Sequence, residues 1–137
     1  MPIEAREVTG WILSRGHDHG LAKGSLHLGI GGTKGGQAGS LIVQIGGEET
    51  LRRGTGKVPR WSWQHVAIVA TKGKIAVYRN GKEEIRVETD APKTFESLFF
   101  GGRCDSDSNW EGRLDEISVY DRALTEKEIA TLAGLEQ

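Results

Sequence analysis

The residues best suited to bind a metal ion form an acidic loop, Cys104-Asp105-Ser106-Asp107-Ser108-Asn109. Its oxygen-bearing side chains alternate along the chain as they do in calcium loops, and calcium prefers oxygen ligands. Trp110 stands where an EF-hand needs glycine, so the loop is not an EF-hand. Asp105, Asp107 and Asn109 are therefore candidate calcium ligands, with an ordinary surface turn as the alternative.

Tryptophans flanked by polar residues are candidate platforms for a sugar ring. Trp61 and Trp110 each stand between two polar residues. A ligand site of this kind combines an apolar platform with a few polar anchors, and Arg103, beside the acidic loop, is one such anchor. With Asp105, Asp107 and Asn109, these residues form the predicted ligand-binding set. Trp11 and Trp63 lie in predicted strands, and we expect both in the core.

Composition excludes several classes of protein. The 137 residues include 18 Lys and Arg against 19 Asp and Glu, and a chain near neutrality lacks the basic face that nucleic-acid binding requires. Its apolar runs are too short to span a membrane, and its one cysteine cannot form an internal disulfide. Neither a P-loop nor a complete dinucleotide-binding fingerprint is present. We expect a single domain over residues 1–137.

Short apolar or alternating segments at a spacing of about ten residues predict an all-β, antiparallel sandwich. In the clearest hairpin, Asn80-Gly81 favours a type I′ turn, with the hairpin's apolar residues on one face and its charged residues in water. By alternation, His27 is expected on the surface of a sheet. The eight predicted strands are 10–13, 26–30, 41–45, 63–70, 74–79, 84–88, 97–100 and 114–120.

One helix is predicted at the C-terminal end. Thr125 and Glu128 have the spacing of a capping box, and Leu124 and Ile129 that of a hydrophobic staple. Ile129, Leu132 and Ala133 would form the apolar face, and Gly134 would end the helix. We expect the helix to close one edge of the sandwich.

Four motifs in the same order resemble laminin-G-like domains of the concanavalin A-like superfamily. They are Trp63-Gln64-His65-Val66-Ala67 (W-x-H-V-A), Tyr78-Arg79-Asn80-Gly81 (Y-x-[DN]-G), the pair Gly101-Gly102, and residues 112–129, which resemble the closing run G-x-[IL]-D-E-[VI]-x-[VI]-Y-x-R-A-L-[ST]-x-x-E-I. The resemblance is strong from Trp61 to Leu132. It implies a jelly-roll sandwich without the first strands of the family.

The resemblance also implies a function. Such domains are modules of extracellular or cell-envelope proteins that bind glycans or proteins, often with calcium, and an Asp of the last strand, here Asp115, can be a calcium ligand. The catalytic E-x-D-x-x-E string of the sandwich glycosidases is missing, so a non-catalytic carbohydrate-binding module is expected. The alternative is a protein-binding or adhesion module that self-associates through an exposed sheet edge.

Twenty glycines, roughly twice the average share of about 7%, crowd into the first half of the chain. Those at the hairpin and after the helix match turn positions. The dense block from Gly29 to Gly56 matches no family motif, and we expect it to form mobile or ligand-facing loops.

Overall fold

In a computed structural model of the protein, the described residues are 8–15, 26–31, 39–45, 52–59, 62–88, 98–100, 113–120 and 122–134. They form antiparallel strands in two sheets and one short helix, which confirms the predicted all-β class. The elements are β1 (Val8–Arg15), β2 (Leu26–Gly31), β3 (Ser40–Ile45), β4 (Arg52–Lys57), β5 (Val66–Thr71), β6 (Lys74–Arg79), β7 (Lys82–Val87), β8 (Leu98–Phe100) and α1 (Glu126–Leu132). The chain divides into two compact units, Met1–Val58 with Pro92–Leu114, and Pro59–Ala91 with Asp115–Gln137.

The first unit contains a five-stranded sheet in the order β4-β3-β2-β1-β8. In β2 and β3, Leu28 pairs with Val43 and Ile30 with Leu41, and all four side chains are buried. His27 is also buried, at 1% exposed, with its ring centroid 5.4 Å from that of Trp11. The prediction that His27 lies on a sheet surface is therefore wrong: every residue of β2 is buried, so alternation along the strand does not separate core from solvent.

A glycine in β2 makes room for the large aromatic residue of β1. Gly29 pairs with Trp11, and a Cβ built on Gly29 would lie 2.5 Å from the carbonyl oxygen of Gly10 and 2.8 Å from Cε3 of Trp11. Trp11 is 2% exposed and packs with Ile42, which confirms its predicted place in the core. Only glycine allows this approach without a shift of the backbone.

The second unit contains a three-stranded sheet, β5-β6-β7. The predicted hairpin joins β6 to β7, and both turn residues have positive φ, 51° at Asn80 and 84° at Gly81, as a type I′ turn requires. Ile75 pairs with Val87 and Val77 with Ile85, and all four are buried as predicted.

The C-terminal helix begins at the predicted cap. Thr125 and Glu128 form the complete capping box, and Gly134, at φ 82°, follows the helix end. Ile129 packs with Val69, Ala76 and Tyr78 of β5 and β6, and Leu124 joins them. The helix thus covers a face of this sheet rather than an edge. Leu132 is half exposed, contrary to prediction.

Two other predictions fail. Residues 113–120 form no strand and are exposed throughout. In the block from Gly29 to Gly56, the loop prediction is wrong for four glycines that lie within strands: Gly29, Gly31, Gly54 and Gly56. For Gly32, Gly35, Gly36, Gly46 and Gly47, which lie outside the described residues, it stays a prediction. Strand β4, Arg-Arg-Gly-Thr-Gly-Lys, was not predicted because it contains no apolar residue. Within the described part of the chain, no helix has the length and apolar character needed to cross a membrane.

Candidate functional site

Most of the residues predicted from the sequence to bind a ligand fall outside the described part of the chain. These are Trp61, Arg103, Asp105, Asp107, Asn109 and Trp110. Calcium binding by the acidic loop and sugar stacking on Trp61 or Trp110 accordingly stay predictions.

Asp115 is the one predicted metal ligand that the structure describes. Its side chain is exposed, and its Oδ1 accepts a hydrogen bond of 2.8 Å from the backbone N–H of Glu116. By alternation with Ile117 and Val119 along the predicted strand 114–120, Asp115 is expected to face inward. That expectation is wrong, because alternation orients side chains only where a strand has formed. Among the described residues, no three His, Cys, Asp or Glu side chains lie close enough together to hold a metal ion.

An exposed tryptophan occupies a position predicted to be in the core. Trp63 is 66% exposed, in contrast to the buried Trp11. The predicted strand began at Trp63, whereas β5 begins at Val66, so the indole belongs to the connection that precedes the strand. An indole left in water costs hydrophobic free energy that a ligand stacked on it would recover, so Trp63 is a candidate platform.

The residues beside Trp63 are tied to the turn between β6 and β7. The backbone N–H of His65 donates to Oδ1 of Asn80 at 2.8 Å, and the backbone N–H of Asn80 donates back to the carbonyl of His65 at 2.7 Å. The Asn80 amide donates to Oε1 of Gln64 at 2.8 Å, and the Gln64 amide donates to the Ser62 hydroxyl at 2.9 Å. The connection is therefore held in one conformation next to the hairpin turn.

These hydrogen bonds leave donors available. Each primary amide carries two N–H donors, and within the described residues Gln64 and Asn80 each use one of them. The Ser62 hydroxyl accepts from Gln64, and among the described residues no acceptor takes its own proton. The connection that carries Trp63 thus includes uncharged donor groups, whose chemistry fits the oxygen atoms of a polar, neutral ligand.

An ion pair between Arg79 and Glu84, largely shielded from solvent, is hydrogen-bonded to this network. Arg79 donates to Oε1 of Glu84 from Nε at 2.8 Å and from Nη2 at 2.7 Å, and from Nη1 to Oε1 of Gln64 at 3.3 Å. The side chains of Arg79 and Glu84 are only 18% and 8% exposed. The expectation that the hairpin's charged residues all point to water is wrong for this pair. Oε2 of Glu84 is buried without a hydrogen-bond partner among the described residues.

A second charged cluster lies on the same hairpin. Arg86 donates to both oxygens of Glu83, at 2.7 and 2.9 Å, which lowers the pKa of Glu83. Burial, and then the nearby Glu83 carboxylate, raise the pKa of Tyr78, whose hydroxyl donates to Glu83 at 3.4 Å. These groups are occupied with one another, so the cluster is structural.

Sequence reasoning missed Trp63, Gln64 and Asn80 as site residues. The signal that selected Trp61, a tryptophan between polar neighbours, is also present at Trp63, which stands between Ser62 and Gln64. The apolar run that follows Trp63 favoured a strand instead, so the predicted strand begins three residues before β5 does.

Comparison with known proteins places the chain in a family. A laminin G model of the concanavalin A-like lectin/glucanases superfamily matches residues 5–130. A heptameric SAP-like pentraxin from Limulus polyphemus is similar with a TM-score of 0.65 and 21% identity, over 90% of this chain and 62% of the pentraxin. A candidate carbohydrate-binding protein from Bacteroides ovatus is similar with a TM-score of 0.61 and 22% identity, over 88% of this chain and 39% of that one.

A third similar structure is an S-layer domain-containing protein (residues 221–444) from Clostridium thermocellum, with a TM-score of 0.51 and 23% identity, over 90% of this chain and 63% of that one. The chain spans less than two thirds of the length of each of the three structures. A search of curated protein sequences found no match.

Proposed function

Since the chain belongs to the laminin G group of the concanavalin A-like lectin/glucanases superfamily, we propose that it is a non-catalytic module that binds carbohydrate. The observation that carries the proposal is the 66% exposure of Trp63, beside a hydrogen-bonded set of uncharged donors from Ser62, Gln64 and Asn80. Trp61, two residues away, is proposed as a second platform.

The chemistry of a sugar ring fits this combination. A pyranose has an apolar face of C–H groups that stacks on an indole, and a rim of hydroxyl groups that accept from N–H and O–H donors. Donors fixed before the ligand arrives lose little side-chain entropy on binding. Hydrogen bonds from Asn80 and Arg79 to the Gln64 carbonyl fix the Gln64 amide, and with it the amide's N–H donors.

The similar structures support the proposal as far as the fold goes. One is a candidate carbohydrate-binding protein and another carries an S-layer domain. We propose by analogy that this chain works outside the cell or in the cell envelope, as one part of a larger protein. One fold hosts many functions, so the residues around Trp63 have to decide the ligand.

Affinity gel electrophoresis tests the proposal, with β-glucan, xylan, soluble chitin and starch each cast into native gels. At least one polysaccharide should retard the wild type, and Trp63→Ala should abolish the retardation. Leu132→Ala is the matched control, since Leu132 is also apolar and half exposed but lies on the helix. Gln64→Ala should weaken binding by up to about tenfold, the worth of one hydrogen bond. Retardation of Trp63→Ala equal to that of the wild type would refute the assignment.

Calcium binding is proposed for the acidic loop, with Asp105, Asp107 and Asn109 as ligands; Arg103 and Trp110 beside them would then contact sugar. Thermal unfolding in calcium and in EDTA tests the metal. We expect a higher Tm in calcium for the wild type and no difference for the double variant Asp105→Asn, Asp107→Asn. Equal Tm values for the wild type in both buffers would remove calcium from the proposal.

A further inference from the structure

The side-chain amide of Gln64 can face only one way. Its Oε1 accepts from Nδ2 of Asn80 at 2.8 Å and from Nη1 of Arg79 at 3.3 Å, which uses both lone pairs of the carbonyl oxygen. If the amide were flipped, its N–H groups would face those of Asn80 and Arg79, donor against donor. The N–H groups of Gln64 are therefore directed away from these two residues, and one of them reaches the Ser62 hydroxyl at 2.9 Å.

Arg79 is held in turn by Glu84. Nε and Nη2 of Arg79 both donate to Oε1 of Glu84, at 2.8 and 2.7 Å. A guanidinium group is planar and its donors form a rigid fork, so fixing Nε and Nη2 also fixes the direction of Nη1. Glu84 thus acts on the Gln64 carbonyl through Arg79.

The stability of the fold does not by itself explain a carboxylate at position 84. The side chain of Glu84 is 8% exposed, and its Oε2 is buried without a hydrogen-bond partner among the described residues. A buried polar atom without a partner destabilises a fold. Apolar residues of similar volume often replace a buried ion pair with no loss of stability. The hold of Glu84 on Arg79 gives the carboxylate a role that an apolar side chain could not fill.

We propose that Glu84 is a positioning residue of the Trp63 site. Through Arg79 it keeps the N–H donors of Gln64 directed towards the ligand. The proposal rests on the proposed carbohydrate binding and adds a rule for the ligand: the atom that meets Gln64 is an acceptor, such as a hydroxyl, ring or carbonyl oxygen. An ammonium group, which only donates, is excluded from that position.

A thermodynamic cycle in the affinity gels tests the positioning role, with β-glucan, xylan, soluble chitin and starch as probes. The apolar-pair variant (Arg79→Met, Glu84→Leu) and Gln64→Ala should weaken binding by the same factor, up to about tenfold. The variant that combines all three substitutions should bind no more weakly than Gln64→Ala, because the ion pair acts only through Gln64. Wild-type binding by the apolar-pair variant would overturn the proposal, and so would two factors that multiply when combined.

The matched control replaces the other ion pair of the hairpin in the same way. Arg86 and Glu83 bond to each other at 2.7 and 2.9 Å, so Arg86→Met with Glu83→Leu should bind like the wild type. Equal weakening by both pair replacements would overturn the proposal, since it would reflect hairpin charge in general. The apolar-pair variant should keep the wild-type midpoint in urea. A midpoint that falls together with the binding would assign the pair to the fold and also overturn the proposal.

NMR tests the orientation of the amide without any sugar. The side-chain amide signals of Gln64 are those missing from the nitrogen–proton correlation spectrum of Gln64→Ala. We expect their heteronuclear NOE to be high in the wild type and to fall in the apolar-pair variant. Equal NOE values in the two proteins would overturn the proposal. Failure of every polysaccharide to retard the wild type would count against the carbohydrate function alone, and the NOE would still decide the positioning.

Discussion

Asn80 joins the hairpin turn to the connection that carries Trp63. Substitutions at Asn80 can separate the contribution of its side-chain hydrogen bonds from that of its left-handed backbone conformation. Its backbone has a φ of 51°, which asparagine tolerates better than other residues with side chains. Its side chain makes two hydrogen bonds, from the His65 N–H and to Gln64, both 2.8 Å and both at the surface. Bonds of this kind contribute about 0.5–1 kcal/mol each, the low end of the measured range.

Asn80→Gly loses both hydrogen bonds but accepts the backbone conformation, so it should lower the free energy of unfolding by about 1–2 kcal/mol. Asn80→Ala loses the same bonds and adds left-handed strain, so it should cost about 2–4 kcal/mol. Asn80→Asp keeps an acceptor for the His65 N–H and loses the donor to Gln64, and it should cost no more than about 1 kcal/mol.

Urea denaturation followed by tryptophan fluorescence measures these differences as shifts in midpoint at constant slope. Equal stabilities for Asn80→Ala and Asn80→Gly would show that the turn imposes no left-handed strain. A stability of Asn80→Ala equal to that of the wild type would show that neither the two hydrogen bonds nor the left-handed strain affects the free energy of unfolding.

Three further predictions concern the core and the helix. Gly29→Ala should destabilise by about 1–3 kcal/mol in urea denaturation, because the added Cβ meets the Gly10 carbonyl and Trp11; an unchanged midpoint would contradict that close approach. Ile129→Ala should cost about 2–5 kcal/mol by calorimetry, since Ile129 is completely buried, whereas Leu132→Ala, at a half-exposed position, should stay within about 0.5 kcal/mol. Hydrogen bonds from Arg122 and then from the Thr125 N–H lower the pKa of Glu128 from its ordinary value of 4.5 to about 2. The ionised Glu128 carboxylate therefore stabilises the fold fully above pH 4.5, and this contribution is lost as the pH falls towards 2. The Tm advantage of the wild type over Glu128→Gln should shrink across that range, and an advantage that does not vary with pH would be evidence against this pair.

Features set by neighbouring residues were predictable from the sequence. The Asn80-Gly81 turn and the Thr125-Glu128 cap depend on backbone angles and hydrogen bonds within four residues, and both formed as expected. The family motifs predicted the sheet architecture, because they are shared by proteins of one fold and do not reflect local backbone preferences alone.

Features that depend on distant contacts were not predictable in the same way. The alternation in residues 114–120 specifies a strand only if a neighbouring strand is present to pair with it, and no such pairing occurs among the described residues. His27 alternates with leucines, yet it is buried because both faces of β2 are covered. The exposure of Trp63 depends on where β5 begins, and strand boundaries are the least certain part of a sequence pattern. Trp63 therefore became a candidate only from its exposure in the structure, while the prediction for Trp61 falls outside the described residues and stays a prediction.

The connectivity of the two sheets implies that they form at different stages of folding. In the three-stranded sheet, β5, β6 and β7 follow one another through two-residue turns, so each pairing closes a short loop. In the five-stranded sheet, Leu13 of β1 pairs with Phe100 of β8, and this contact must bring together residues separated by most of the chain. Loop closure costs more entropy as the loop lengthens, and folding slows as contacts become less local. We therefore expect the hairpins that hold the Trp63 site to form early on the pathway, and the three-residue strand β8 to join its sheet in the final, rate-limiting step.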